Sequence, residues 1–323
     1  MTITARELAL EGIERENYYE NGTLKDCILG KKNSIPTECG VLVPLYGEEN
    51  VRRKYNKSVS FYPSGILKSV SLEEQTEVET PMGEFPAELL TFYESGKLKR
   101  VFPLNGKLSG YWSEDEEKGI AIPFGFEFDF AAFRAKIVGL HFYESGALKS
   151  LTLFPGEIIT IESPMGEIPV RIGFSLYESG KLKTLEPAEP VLLMTDLGPL
   201  TAFDPAALGL HADDNSLGFY EDGALRKLAT VSDQVGVTEE SGRFHLLSPL
   251  QKLDPLDDDR KITLPLRISF EAEELIITDD KEHRFDGKTV RLNVFQRYSG
   301  LGQENQSCSP SDCASCSANC KQK

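Results

Sequence analysis

No stretch of this chain stays apolar for the roughly 20 residues that a membrane-crossing helix needs. Its start, MTITARELALEGIEREN, lacks the basic segment and apolar core of a secretory leader. These absences predict a cytoplasmic protein with no membrane partner. Basic residues are in deficit, 35 against 51 acidic ones, for a net charge of −16. Such a chain repels phosphate backbones, so nucleic acid is not an expected partner. There is no Walker A loop, nucleophile elbow, dinucleotide fingerprint or HExxH motif. The four histidines, His141, His211, His245 and His283, do not stand at metal-ligand spacing from one another. The reading therefore leans away from an enzyme. With 40% hydrophobic residues the chain still has the material for a core.

What the sequence does contain is repetition. Six segments echo one another: YYENGTLK (18–25), FYPSGILK (61–68), FYESGKLK (92–99), FYESGALK (142–149), LYESGKLK (176–183) and FYEDGALR (219–226). Each has a Tyr, a Gly three residues on, a Leu five on and a basic residue six on. Asn-Gly, Ser-Gly and Asp-Gly supply the positive φ of tight hairpin turns. A two-residue turn would set each Tyr directly across from its Leu, as in Tyr143 and Leu148. The glutamates Glu20, Glu94, Glu144, Glu178 and Glu221 should then align along the turns. The basic residues Lys25, Lys68, Lys99, Lys149, Lys183 and Arg226 should make cross-strand ion pairs or a charged ridge.

The glycines are separated by 43, 31, 50, 34 and 43 residues, so insertions sit between hairpins. A second echo joins ETPMGEFPAELLTFYESG (79–96) to ESPMGEIPVRIGFSLYESG (162–180), with weaker versions at TECGVLVPLYG (37–47) and TDLGPLTAFDPAALGL (195–210). It predicts a second Gly turn ahead of the Tyr hairpin. Stacked units of this size need their neighbours to bury a face. The predicted fold is all-β, an elongated antiparallel sheet or β-solenoid of stacked hairpins with one short helical insertion. That helix is expected at AAFRAKIVG, within residues 120–140. The expected organisation is a hairpin domain over 1–248, a β cap over 249–299 and a cysteine-rich tail over 300–323.

The repeated segment resembles the hairpin core of bacterial MORN-repeat variants, some of them labelled antitoxin-like. The resemblance implies an all-β scaffold that binds a partner, commonly protein and sometimes lipid; the acidic charge argues against anionic lipid. The partner's identity and the oligomeric state stay open.

Residues 227–260 read as a polar segment. Asp254, Asp257, Asp258 and Asp259 read as a solvated loop, since the alternating ligands and Gly of an EF-hand are absent. SEDEEK (113–118) reads as a soluble loop. Trp112 reads as core, with partner anchoring as the alternative. His211, beside Asp213 and Asp214, is the best candidate for chemistry, and His141 reads as a strand residue.

Four of the six cysteines crowd the end: Cys308, Cys313, Cys316 and Cys320, within 13 polar residues. Burial cannot explain thiols among Ser, Ala, Gln and Asn. Four thiolates can surround one tetrahedral zinc or one iron–sulfur cluster. The short spacings favour a compact cluster, and the segment resembles the cysteine-rich tails of Mrp-type iron–sulfur carrier proteins. Cys27, among apolar neighbours, reads as a buried thiol. The expected function is a non-catalytic binding scaffold with a four-cysteine metal or iron–sulfur tail. The alternative is an interaction module whose tail has no defined metal chemistry.

Overall fold

The computed structural model describes residues 4, 7–47, 51–53, 56–195, 197–209, 211–254 and 257–296. The cysteine tail lies outside them. All six repeat glycines reverse the chain with φ between +77° and +94°. In every copy the Gly amide donates to the Tyr carbonyl, and the Tyr amide donates to the carbonyl of the residue after the Gly, at 2.8–2.9 Å. The loop thus has three residues, a tight turn closed by a left-handed Gly, and not the expected two. A two-residue type I′ turn needs positive φ at both central positions; Glu144 and Ser145 do not adopt it, and Gly146 does.

This shifts the register by one and corrects the expected Tyr–Leu pairing. Leu148 faces Phe142, and Leu67, Leu98, Leu182 and Leu225 face Phe61, Phe92, Leu176 and Phe219. Each Tyr is left on the other face, half-buried, and reaches the neighbouring hairpin. The hydroxyls of Tyr19, Tyr62, Tyr93, Tyr143, Tyr177 and Tyr220 donate to the carbonyls of Phe61, Phe92, Phe142, Leu176, Phe219 and Phe270, at 2.5–3.0 Å. For the first five the acceptor is the residue just before the next Tyr, and for the sixth it is Phe270 at the end of the strand Leu266–Phe270, so the six form a ladder that links each hairpin to the next. The basic residue of each copy lies over its own Tyr ring, 5.1–5.9 Å from the centroid. This cation–π contact takes the place of the expected ion pairs.

One rung is a direct test. Tyr143→Phe keeps the ring under Lys149 and deletes only the bond to Leu176. A loss of about 1 kcal/mol is expected in urea unfolding; no loss would show that the bond contributes nothing.

The hairpins lie side by side in chain order in one antiparallel sheet of sixteen strands, with the insertions leaving its main path between several of them. It is the elongated sheet of the two expected forms. One face carries Cys27, Val70, Val101, Leu151, Leu185 and Leu228, all at most 1% exposed. The other carries a polar row in lateral register: Asn17–Asp26, Ser60–Ser69, Thr91–Arg100, His141–Ser150, Ser175–Thr184 and Gly218–Lys227. Several of these pairs bond across the strands, as do Asn17 with Asp26 at 2.7 Å and Ser175 with Thr184 at 2.6 Å. The outermost strand Ile13–Tyr18, IERENY, is exposed throughout. Its charges discourage edge-to-edge pairing.

The second echo forms hairpins as expected. Thr37, Thr80, Ser163 and Thr195 each accept a bond from the amide two residues on and donate to the Gly carbonyl three on, at 2.7–3.1 Å. These hairpins share the hydrophobic core, through Ile35, Leu42, Ile161, Ile168, Leu193 and Leu200 among others.

The helix is not where it was expected. AAFRAKIVG falls in the strands Ala131–Ala135 and Ile137–Phe142. Strand pairing between Phe124–Phe128 and Ala131–Ala135 lets Phe128, Phe130 and Phe133 converge edge-on against Phe174, with centroids 5.4–6.3 Å apart. A short isolated helix would have little stability to set against that packing. The helix is Glu114–Ile120, which begins within the segment read as a loop and runs two residues past it. Ser113 and Glu116 form a reciprocal capping box, and four acidic residues occupy its first turn. The segment read as polar also carries strands among its described residues: Asp254 ends the strand Leu250–Asp254, and Asp257–Asp259 begin its partner Asp257–Leu264. Hydrophobic alternation there is weak, which hid the strands.

Candidate functional site

The polar row and the loops above it gather the charged groups to which sequence reasoning assigned chemistry. The densest gathering is around Asp213. The loop after the strand Gly198–Ala202 folds back over the polar face. Its Ala212 amide donates to Thr152 Oγ1 at 3.0 Å, and Asn215 Nδ2 donates to Thr184 Oγ1 at 2.8 Å. Between these anchors, Asp213 Oδ1 lies 2.8 Å from His141 Nδ1 and 2.5 Å from Ser150 Oγ, while Oδ2 receives Arg100. Arg100, His141 and Ser150 are cross-strand neighbours in the row, so the sheet presents three donors at one point.

Burial would raise the Asp213 pKa. The bonds from His141 and Ser150 and the charge of Arg100 overcome it and hold the carboxyl well below the usual range. Burial lowers the His141 pKa, and Asp213 only partly offsets that. The neutral imidazole then carries its proton on Nδ1, toward Asp213. Its Nε2 faces the Tyr93 hydroxyl at 3.3 Å, and that hydroxyl is already bonded to Phe142.

This arrangement does not have the order of a nucleophilic triad. Ser150 bonds the carboxylate and not the imidazole, and the His141 side chain is only 5% exposed. Its chemistry is that of a clamp, fixing the loop to the sheet. His211, the sequence favourite, is half-exposed with Nδ1 3.9 Å from Asp213 Oδ2. The structure thus places both named histidines beside Asp213, with the close contact going to His141. His245 and His283 also have carboxylate partners, Glu239 at 2.5 Å and Asp279 at 3.2 Å.

A second charged hub fastens the insertion between the third and fourth Tyr hairpins. Arg52 is held bidentately by Glu88 at 2.7–3.0 Å and by Glu117 at 2.8 Å. Glu117 also accepts from Trp112 Nε1 at 2.6 Å and the Gly106 amide at 2.7 Å. Trp112 is thereby a partly buried structural residue, and its neighbour Tyr111 is the exposed one, at 83%. The sequence signal for Glu117 was the S-x-x-E capping box beside it; its partners Arg52 and Glu88 gave none.

Cys27 and Cys39 are buried free thiols, as expected for Cys27. Burial pushes their pKa values up to about 12 and about 11, which suits inert thiols rather than metal ligands. Cys308, Cys313, Cys316 and Cys320 lie outside the described residues. Among the described residues, Asp279, Asp280 and His283 bring one ligand atom each within 4.8 Å of one another. Asp279 Oδ1 is occupied by the amides of Asp280 and Lys281, which makes the group a turn. No helix among the described residues is long and apolar enough to cross a membrane. Scans of protein families, curated proteins and solved structures returned no match to this chain.

Proposed function

We propose that this chain is a non-catalytic β-repeat binding scaffold that carries Cys308, Cys313, Cys316 and Cys320 as a metal or iron–sulfur binding tail. The observation that carries the scaffold reading is the tyrosine ladder. Six rungs hold hairpin turns at a fixed spacing along one edge, giving a regular surface that a partner can read. The charged residues inside the fold support it, because Asp213, Glu117 and Arg52 spend their hydrogen bonds on fastening loops. The tail reading rests on the chemistry of four thiolates in a segment without core-forming residues.

Anaerobic purification followed by metal analysis and absorbance spectroscopy tests the tail. The wild-type chain is expected to hold iron with sulfide, or zinc, at near-stoichiometric level, and the variant with all four tail cysteines replaced by Ser is expected to hold none. Metal at background in both would remove the tail from the function and leave an interaction module.

A further inference from the structure

Two surface grooves are built the same way, and we infer that together they bind an extended partner segment carrying two arginine or lysine side chains. The inference rests on the scaffold reading and names the chemistry of its partner. The first groove, about 420 Å³, lies between the Thr80–Gly83 turn and the fourth Tyr hairpin. The second, about 490 Å³, lies between the Ser163–Gly166 turn and the sixth. In each, a turn proline packs against a hairpin glycine: a Cβ on Gly146 would meet Pro81 at 3.4 Å, and one on Gly223 would meet Pro164 at 3.4 Å.

The apolar lining corresponds position by position. Pro81, Leu98 and Tyr143 in the first groove match Pro164, Leu182 and Tyr220 in the second. The rims are acidic and exposed, with Glu38, Glu79 and Glu144 on one and Asp129, Glu162 and Glu221 on the other. Each rim has one lysine: Lys97 bonds Glu38 at 3.0 Å, and Lys181 bonds the Glu221 carbonyl at 3.0 Å. Both grooves therefore remain net negative. An apolar lining under a carboxylate rim suits a side chain with an aliphatic stem and a cationic head. The arginine fork in addition fits carboxylates bidentately.

The spacing makes the inference specific. The fourth and sixth hairpins are separated by four strand intervals in the sheet, or about 19 Å at the usual interstrand distance. An extended chain covers that in about six residues. A segment with basic residues at that separation engages both grooves at once and gains from the second contact without new chemistry.

The test uses the full chain and two fluorescein-labelled synthetic peptides of identical composition. One has two arginines about six residues apart, and the other has them adjacent. Fluorescence anisotropy is expected to show the spaced peptide binding at least about tenfold more tightly. Glu144→Gln or Glu221→Gln, at exposed positions, is expected to reduce it to the level of the adjacent peptide. Equal binding of the two peptides, or no effect of either variant, overturns the inference. Metal content measured on the same preparation reports the tail separately, so failure here and failure of the tail reading are distinguishable.

Discussion

Replacing Gly173 by alanine is expected to cost about 3–5 kcal/mol, because the added methyl group would strike the backbone of a neighbouring strand. Gly173 has φ +128°, and a Cβ built on it would stand 1.9 Å from the Leu151 carbonyl oxygen and 3.0 Å from Ala212. The obstacle is backbone inside the sheet, which cannot turn aside as a flexible side chain can. The residue before it, Ile172, is also left-handed, at φ +64°, a rare state for a β-branched residue. Together they bend the strand Gly166–Leu176. Its first half pairs with Ile159–Ser163 and its second with Ser150–Thr152. Gly83→Ala is the control, with φ +102° but open space around its Cβ. It should lose only the conformational part, about 1–2 kcal/mol. Urea unfolding followed by circular dichroism measures both. Equal losses would mean that the close approach at Gly173 does not exist.

Asp213→Ala is expected to lose about 3 kcal/mol, the lower end for breaking a buried charge pair. Its side chain and that of Arg100 keep 19% and 24% exposure, so water recovers part of the loss. The pH dependence gives the clamp a signature. Asp213 titrates lower in the folded chain than in the unfolded one. Its contribution is complete above about pH 4 and is lost as pH falls from there toward the lower folded value. His141 is also lowered. The unfolded chain therefore takes up its proton first, and that contribution fades as pH falls below about 6.5. Removing Asp213 removes the anion that favours the imidazolium, so the folded His141 resists protonation further. The variant should then lose stability more steeply than wild type between about pH 6.5 and 5 and lack Asp213's share of the later loss near pH 4 and below, to which Asp26 and Glu117, also held low, still contribute. Parallel pH profiles, offset by a constant, would contradict the clamp.

Much of the Asp213 site was legible in the repeats had they been aligned column by column. The residue two after each Leu and two before each Tyr gives Asp26, Ser69, Arg100, Ser150, Thr184 and Lys227, and Asn17, Ser60, Thr91, His141, Ser175 and Gly218. That is the polar row, so Arg100, His141 and Ser150 could have been placed side by side. Asp213 could not, because it sits in an insertion whose return path depends on Thr152 and Thr184 as anchors. The same limit hid Arg52, Glu88 and Glu117, which come from three separate segments and meet only when the sheet is assembled. The helix was misplaced for a local reason: aromatic alternation in FGFEFDFAAF outweighed helix propensity in the residues that follow, while the capping box at Ser113 marked the true start.

The sequence alone determined that this chain folds as repeated antiparallel hairpins, because Gly at a fixed distance from Tyr and Leu imposes a reversal whatever surrounds it. It also determined the second set of turns, since Thr or Ser three residues before Gly closes its own loop. Tertiary structure decided what the tyrosines do. Their hydroxyls needed a carbonyl acceptor on the adjacent hairpin, and the one-residue loop difference that turns them toward it is invisible until φ is known at Glu144, Ser145 and Gly146. It decided as well which charges meet, because long insertions return to the sheet at places set by packing and not by their distance along the chain.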